Sequence, residues 1–155
     1  MAYEFKLVRR VEFNETDAAG IVHFTSFFRY MESVEHAFFR SLGHSVFMTN
    51  VDPPVGWPRV AASCEFSEPL YFEDEIELHL LVAEKKEKSL TYQIRIRKLN
   101  ADPPVEVARG RLTVVCVTRD ARGQMRAVPI PKAFASLVRV APASMLGSGK
   151  SARRN

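Results

Sequence analysis

Apolar and polar residues alternate in five segments of the chain, and this period of two is typical of strands with one buried face. The segments are 3–13, 60–66, 76–82, 90–97 and 105–118. Arg9 breaks the pattern of the first segment, because it stands at an apolar position. In the last segment the apolar parity changes between Val107 and Leu112, which predicts a β-bulge near 108–110. A short strand is expected at 125–128 and a helical turn at 132–138.

Between the first two strands the apolar period becomes that of a helix. Its apolar stripe consists of Phe27, Met31, Val34, Phe38 and Leu42. These steps of three and four residues predict an amphipathic helix, which Thr25 or Ser26 is expected to cap and Gly43 to end. A proline-rich loop follows at 44–58. One long helix and a run of antiparallel strands predict an α+β fold.

The composition is that of a globular protein. The chain has 155 residues, of which 46% are hydrophobic and 26% charged, enough for one domain with a core. We expect this domain at 1–140 and a mobile basic tail at 141–155. No apolar run has the roughly 18 residues that a membrane span needs, and the first residues do not resemble a signal peptide. A cytoplasmic location is therefore expected.

The net charge of +4 gives little support for nucleic-acid binding. Three of the 22 basic residues, Lys150, Arg153 and Arg154, belong to the tail, and the other 19 nearly balance 18 acidic residues. A nucleic-acid-binding domain usually has a basic face on its folded body. Cys64 and Cys116 lie in strand-like segments and are expected to be reduced thiols. No spacing of His, Cys or acidic residues indicates a metal site.

The segment just before the helix is the best candidate for chemistry. Asp17 lies upstream of a helix start, where backbone N–H groups are free and the helix dipole is positive. A carboxylate beside such donors can attack a polarised carbonyl, or activate water against it, which points to acyl transfer. The alternative is an acidic residue that only caps or solvates a loop. Gly20 permits an unusual loop conformation, and an ordinary turn glycine explains it equally well.

The motif Thr16-Asp17-Ala18-Ala19-Gly20-Ile21-Val22, followed by a long helix ending in Leu-Gly, resembles the hotdog-fold acyl-CoA thioesterases of the 4-hydroxybenzoyl-CoA thioesterase-like group. The resemblance covers about 5–131. It implies an antiparallel sheet of five or six strands wrapped around one long α-helix. It also implies a homodimer, or a tetramer made of two dimers, with active sites at the dimer interface. No bound cofactor is implied, because coenzyme A enters as part of the substrate.

The resemblance assigns two catalytic groups. Asp17 matches the family's acid, as nucleophile or as general base, and the backbone N–H of Phe24 matches the group that polarises the carbonyl. The Phe24 side chain is equally compatible with simple packing. Ser26 departs from the asparagine that often braces the catalytic loop. Glu15 is expected to be solvated, and a supporting role is the less favoured alternative.

His23 and four residues of the segment 57–63 each have two possible roles. His23 is either an acid toward the departing thiolate or, slightly favoured, a residue lining the pocket. Trp57, Val60, Ala61 and Ser63 match a segment that faces the partner's site in the family, and core packing explains them equally well.

A basic turn later in the chain has charges that suit the phosphates of coenzyme A. The turn contains Lys85, Lys86 and Lys88, and lysines bind phosphates as point charges. A solvated hairpin tip is the more common explanation. Arginines on the neighbouring strands are alternative phosphate ligands, namely Arg95, Arg97, Arg109 and Arg111.

The function expected from the sequence is hydrolysis of an aromatic or small to medium acyl-CoA. 4-Hydroxybenzoyl-CoA and 1,4-dihydroxy-2-naphthoyl-CoA are the first substrates to try, because some relatives act on aryl thioesters. The alternative is a non-catalytic hotdog module that binds acyl-CoA or acyl carrier protein. No nucleic-acid or membrane partner is expected.

Overall fold

The five alternating segments form one antiparallel sheet in a computed structural model that describes residues 1–147. The strands are β1 (Glu4–Arg10), β2 (Arg59–Phe66), β3 (Glu75–Lys85), β4 (Ser89–Lys98) and β5 (Val105–Val115). Their order across the sheet is β1-β3-β4-β5-β2. A two-stranded ribbon follows, made of β6 (Val117–Arg119) and β7 (Met125–Ala127). The helices are α1 (Phe24–Ser41), α2 (Lys132–Ala135) and α3 (Ala143–Leu146), and a 3₁₀ turn spans Phe13–Glu15.

Helix α1 packs its predicted stripe against one face of this sheet. Phe27, Met31, Val34 and Phe38 are at most 3% exposed, whereas Leu42 at the helix end is only partly buried. The facing side chains come from alternate positions of the strands, among them Leu78, Leu80, Tyr92, Ile94 and Leu112. The predicted α+β fold, a five-stranded sheet around one long helix, is therefore confirmed.

The predicted β-bulge occurs one residue earlier than expected. Ile96 pairs with Ala108 and Arg97 pairs with Glu106, so Val107 has no partner in β4. Both Val107 and Ala108 are buried. One extra residue therefore shifts the inward-facing parity of β5, as the sequence pattern required.

The loop 44–58 folds back onto the helix through Trp57. This side chain is 4% exposed and packs edge-on against Phe39, with ring centroids 5.4 Å apart. Phe134 of α2 stacks on Phe39 at 4.5 Å. These rings close the core at the end of the sheet that carries the β3–β4 turn.

The beginning of the predicted mobile tail is packed on the sheet. Ala141 is 4% exposed, and its N–H donates to the Val82 carbonyl at 2.8 Å. The guanidinium of Arg95 donates to the Met145 carbonyl in α3. Ala141 and Met145 thus contact the sheet, although the sequence predicted a mobile tail from residue 141 onward. The rest of the predicted tail, 148–155, lies outside the described residues.

The residues of the Thr16–Val22 motif lie at the opposite end of the sheet from the lysine turn. Backbone hydrogen bonds join Val11 to Asp74 and Val22 to Leu70, which places 11–23 beside the start of β3. The turn 85–88 lies at the other end of β3 and β4. Within 1–147, no helix combines the length and the apolar character required to cross a membrane.

Candidate active site

Asp17 begins a tight turn within a small hairpin. Its N–H donates to the Ile21 carbonyl at 3.0 Å, and its carbonyl accepts from the Gly20 N–H at 2.9 Å. Thr16 and Val22 pair across the hairpin. Gly20 has a φ of +80°, a left-handed conformation that residues with a Cβ avoid. The hairpin thus needs a glycine at this position.

The carboxylate of Asp17 is exposed and only partly engaged. Oδ1 accepts a hydrogen bond from the Ala19 N–H at 2.8 Å. Oδ2 has no donor within residues 1–147. One oxygen is therefore held in place while the other is free to act on a substrate or a water molecule.

Helix α1 begins directly after this hairpin, and its cap is His23. The ring Nδ1 of His23 lies 3.3 Å from the Thr25 N–H and 2.6 Å from Thr25 Oγ1. The expectation that Thr25 or Ser26 caps the helix is therefore wrong, because the helix starts at Phe24 and the imidazole of His23 reaches its second residue. The Phe24 N–H, at the first helical position, has no acceptor among the described residues.

An apolar cavity of about 460 Å³ brings these groups together. Asp17 and Phe24 both line it. Its other lining residues are Ile21, Val22, Phe27, Phe66, Ser67, Glu68, Pro69 and Leu70. Phe27 and Phe66 meet edge to face with ring centroids 4.9 Å apart. His23 does not line this cavity; its ring packs on Phe24 instead.

Ser26 braces the Asp17 hairpin, although the resemblance led us to expect an asparagine in this role. Its hydroxyl donates to the Glu15 carbonyl at 3.0 Å, and the same carbonyl accepts from the His23 N–H at 2.9 Å. The base of the hairpin is thus tied to the helix start. Ser26 is 7% exposed, so water competes little for this bond.

Glu15 is not solvated, and the expectation from the sequence is wrong. Its side chain is 12% exposed and pairs with Arg9 at 2.6 Å. The Tyr30 hydroxyl donates to the same carboxylate at 3.0 Å. Sequence reasoning missed this cluster, although Arg9 at an apolar position of β1 was a signal that something buried would neutralise it.

The predicted pocket residues of 57–63 lie away from this cavity within one chain. Trp57 belongs to the core, which supports the core-packing alternative for that residue. Val60, Ala61 and Ser63 lie on β2 and are exposed, Val60 to 61%. Because β2 is an edge strand of the sheet, no further strand of the described chain lies beside these three residues.

Of the three lysines predicted to bind phosphate, one is hydrogen-bonded within the fold and two are exposed. The Lys85 ammonium donates to the carbonyls of Ala135 and Val138 at 2.6 and 2.7 Å, so it caps the end of α2 and is not available to a phosphate. Lys86 lies 3.4 Å from Glu84 and is exposed, as is Lys88.

Three of the four alternative arginines are paired with carboxylates. Arg95 and Arg109 contact Glu106, and Arg97 contacts Glu77. These pairings weaken the case for phosphate binding by those three side chains. Within residues 1–147 no group of His, Cys, Asp or Glu side chains is arranged to hold a metal ion, and both cysteines are free.

Comparisons with known proteins show the family of this chain. A family model described as the thioesterase-like superfamily matches residues 11–138. A 1,4-dihydroxy-2-naphthoyl-CoA hydrolase of Nostoc punctiforme is 31% identical over 129 residues, which cover 77% of this chain and 78% of that protein.

Solved structures show the same fold. The 4-hydroxybenzoyl CoA thioesterase of Pseudomonas sp. strain CBS-3 superposes with a TM-score of 0.79 at 22% identity, over 88% of this chain and 99% of that one. A gentisyl-coenzyme A thioesterase superposes with a TM-score of 0.70 at 28% identity, over 84% and 99% of the two chains. The chain therefore belongs to the thioesterase-like superfamily, as a hotdog-fold acyl-CoA thioester hydrolase.

Proposed function

We propose that this chain hydrolyses acyl-CoA thioesters whose acyl group is aromatic or of small to medium length. 4-Hydroxybenzoyl-CoA and 1,4-dihydroxy-2-naphthoyl-CoA are the first candidates, because relatives and structural neighbours carry those substrates in their names. The apolar cavity, with Phe27 and Phe66 in its wall, supports a flat or hydrophobic acyl group. No bound cofactor is needed for this reaction.

The proposal depends on one observation above the others. The Asp17 carboxylate and the Phe24 residue, whose N–H has no acceptor in the described chain, line the same cavity. A free N–H at a helix start stabilises the negative charge that develops on a thioester oxygen. A carboxylate on the other side of the carbonyl supplies the attacking group or activates it.

Asp17 has two routes to the same products. As a nucleophile, its carboxylate attacks the thioester carbon, the C–S bond breaks to release the thiolate of coenzyme A, and water then hydrolyses the mixed anhydride. As a base, it takes a proton from water while that water attacks, and the C–S bond breaks in the same way. Either route ends with the free acid and the protonated thiol.

We further propose that the active protein is a homodimer or a pair of dimers joined along β2. A two-fold antiparallel pairing of β2 with the β2 of a second copy would set the 57–61 end of one strand beside the 66–70 end of the other. That end lines the cavity with Asp17. In this arrangement Val60, Ala61 and Ser63 of one subunit would lie beside the cavity of the other subunit. Lys86 and Lys88 would lie at the same end, near the coenzyme A bound in that cavity.

A panel of aryl, short and medium acyl-CoAs, followed by release of free thiol, tests the activity. Asp17→Asn is expected to lower kcat on the best substrate at least about 100-fold while the fold is kept. Asp120→Asn is a matched control, since Asp120 begins a turn of the same kind: its carbonyl accepts from the Gly123 N–H at 2.9 Å, and its Oδ1 accepts from the Arg122 N–H at 2.8 Å.

The control variant is expected to keep wild-type activity. An Asp17→Asn variant that hydrolyses its substrate at a near wild-type rate would remove Asp17 from the mechanism. Equal and negligible hydrolysis across the whole panel by the wild-type protein would instead favour the non-catalytic binding module.

A further inference from the structure

Glu15 is one of the residues that anchor the Asp17 hairpin to the rest of the fold; Thr16 is another, since its N–H and its hydroxyl both donate to the Phe13 carbonyl. Every hydrogen bond of Asp17 itself lies within its own turn, to Ala19, Gly20 and Ile21. The far strand of the hairpin is tied once, from the Val22 N–H to the Leu70 carbonyl at 2.8 Å. The near strand begins at Glu15, whose carbonyl accepts hydrogen bonds from the His23 N–H and the Ser26 hydroxyl.

The side chain of Glu15 makes this anchor rigid. Oε1 accepts from the Glu12 N–H at 2.7 Å and from the Tyr30 hydroxyl at 3.0 Å. Oε2 accepts from Arg9 Nη2 at 2.6 Å. The carboxylate thus joins β1, the 3₁₀ turn and the middle of α1, and three donors from separate elements fix its position.

Tyr30 is well suited to hold this carboxylate. Its side chain is completely buried on α1. Burial, with the nearby Glu15 charge, raises the pKa of Tyr30 well above its usual value, so the hydroxyl stays protonated and donates. The Arg9 guanidinium lies 4.8 Å from the centre of the Tyr30 ring, which holds both side chains together.

We propose that Glu15 is a positioning residue that, with Tyr30 and Arg9, fixes the Asp17 hairpin relative to the helix start. This inference rests on the proposed role of Asp17. Glu15 does not line the cavity and takes no part in bond making. It acts by keeping the carboxylate of Asp17 and the Phe24 N–H at a fixed separation across the substrate carbonyl, and small errors in such geometry are costly to the rate.

Tyr30→Phe is the sharpest variant, because it removes one hydrogen bond to Glu15 and leaves the packing of the ring. The kcat is expected to fall about 10- to 100-fold, with KM changed less than about two-fold. Tyr92→Phe is the matched control: Tyr92 is also completely buried, and its hydroxyl has no hydrogen-bond partner in the described chain. The control is expected to retain the wild-type kcat. Glu15→Gln should reproduce the loss.

A combination with Asp17→Asn separates this inference from the proposed function. If Glu15 acts through Asp17, then Tyr30→Phe lowers activity no further in the Asp17→Asn background. An inactive Asp17→Asn variant beside a fully active Tyr30→Phe variant would overturn the positioning role alone. An active Asp17→Asn variant would overturn the proposed mechanism itself.

Amide hydrogen exchange supplies a readout that needs no substrate. The Asp17 N–H donates to the Ile21 carbonyl within the hairpin, and the Val22 N–H donates to the Leu70 carbonyl outside it. In Tyr30→Phe their exchange is expected to quicken about 10-fold or more, while amides in the centre of the sheet and all amides of Tyr92→Phe exchange as in the wild type. Unchanged exchange at Asp17 and Val22 would contradict the proposal whatever the activity.

Discussion

Glu35 is a buried acid in the middle of α1. Its side chain has no exposed surface, and Oε1 lies 2.5 Å from Arg59 Nη2. Its other oxygen, Oε2, has no hydrogen-bond partner in the described chain. Burial raises the pKa of Glu35 from 4.5 to about 7, and the positive charge of Arg59 opposes this shift only in part.

The raised pKa predicts that the protein loses stability as the pH rises. The folded state holds the Glu35 proton more tightly than the unfolded chain, so between about pH 4.5 and 7 folding takes up a proton. The contribution of this group to the free energy of unfolding is therefore complete below pH 4.5, falls as the pH rises from 4.5 to 7, and is lost above 7. The size is on the order of 1–3 kcal/mol. Urea unfolding at a series of pH values measures it.

Glu35→Gln is expected to remove this pH dependence, because glutamine stays neutral. Glu32→Gln is the control, since Glu32 also contacts Arg59, at 3.3 Å, but is half exposed. The difference between variant and wild type isolates Glu35 from the other titrating groups. If both variants follow the wild-type curve from pH 4.5 to 7, the raised pKa of Glu35 is contradicted.

At the scale of single residues, the sequence predicts contacts between residues that are close together along the chain. The Asp17 turn can be predicted because its glycine and its neighbouring helix start lie within seven residues. Glu35 and Arg59 are 24 positions apart, and nothing in either segment indicates that they meet. The same holds for Arg9 and Tyr30, whose contact depends on the way α1 crosses β1.

Helix α1 and strand β5 lie close together where Met31 faces Gly110. A Cβ placed on Gly110 would overlap the Met31 sulfur and come within 3.3 Å of the Ser63 carbonyl oxygen. Met31 is 1% exposed, so its side chain has little room to move aside. The absence of a side chain on this residue of β5 therefore sets the distance between α1 and the sheet.

Gly110→Ala is expected to lower the free energy of unfolding by about 1–3 kcal/mol, because the added methyl group overpacks the core. Gly56→Ala is the control: no atom lies within 4 Å of its Cβ position, and its backbone is not left-handed. The control is expected to change stability by less than about 0.5 kcal/mol. Thermal or urea unfolding compares the two, and equal losses would contradict the close approach at Gly110.

At the scale of elements, hydrophobic period is the reliable guide. The stripe of α1 and the alternation in β3 and β4 predict elements that the structure contains. The exposure of β2 departs from its alternating pattern, since every residue of Arg59–Phe66 is exposed except Cys64, which is partly buried. An alternating sequence indicates one apolar face, but the sheet order decides whether anything within the chain covers it.

The five-stranded sheet of the described chain has two edge strands of unequal character. β1 and β2 both leave one side of the sheet without a neighbour in the described chain. Four of the eight residues of β2 are apolar and exposed, including Val60 and Phe66, at 61% and 47% exposure. Such an edge favours pairing with another strand.

The proposed dimer predicts that an added charge on edge strand β2, but not on edge strand β1, prevents dimer formation. Ala62→Glu, at the middle of β2, would bring two like charges together near a two-fold axis and is expected to yield monomers. Val8→Glu, on the opposite edge strand β1, replaces a residue that is 55% exposed and is expected to leave the dimer intact. Sedimentation velocity distinguishes these states, and a monomeric wild-type protein would contradict the β2 dimer.

The roles of the lysines also depend on the whole molecule. In the sequence Lys85, Lys86 and Lys88 form one basic turn. In the fold Lys85 reaches the end of α2, some fifty residues later in the chain, and only the other two remain at the surface. Charge patterns alone therefore do not distinguish a ligand-binding lysine from a structural one.

The unpaired Val107 has a consequence for comparing relatives. In β5 the odd-numbered residue Val107 faces the core, whereas from Ala108 onward the even-numbered residues do. A homologue that lacks one amino acid here would keep its later residues facing the same way, although an uninterrupted alignment would assign them to the other side. Evolutionary variation along β5 is therefore meaningful only when its two halves are aligned separately.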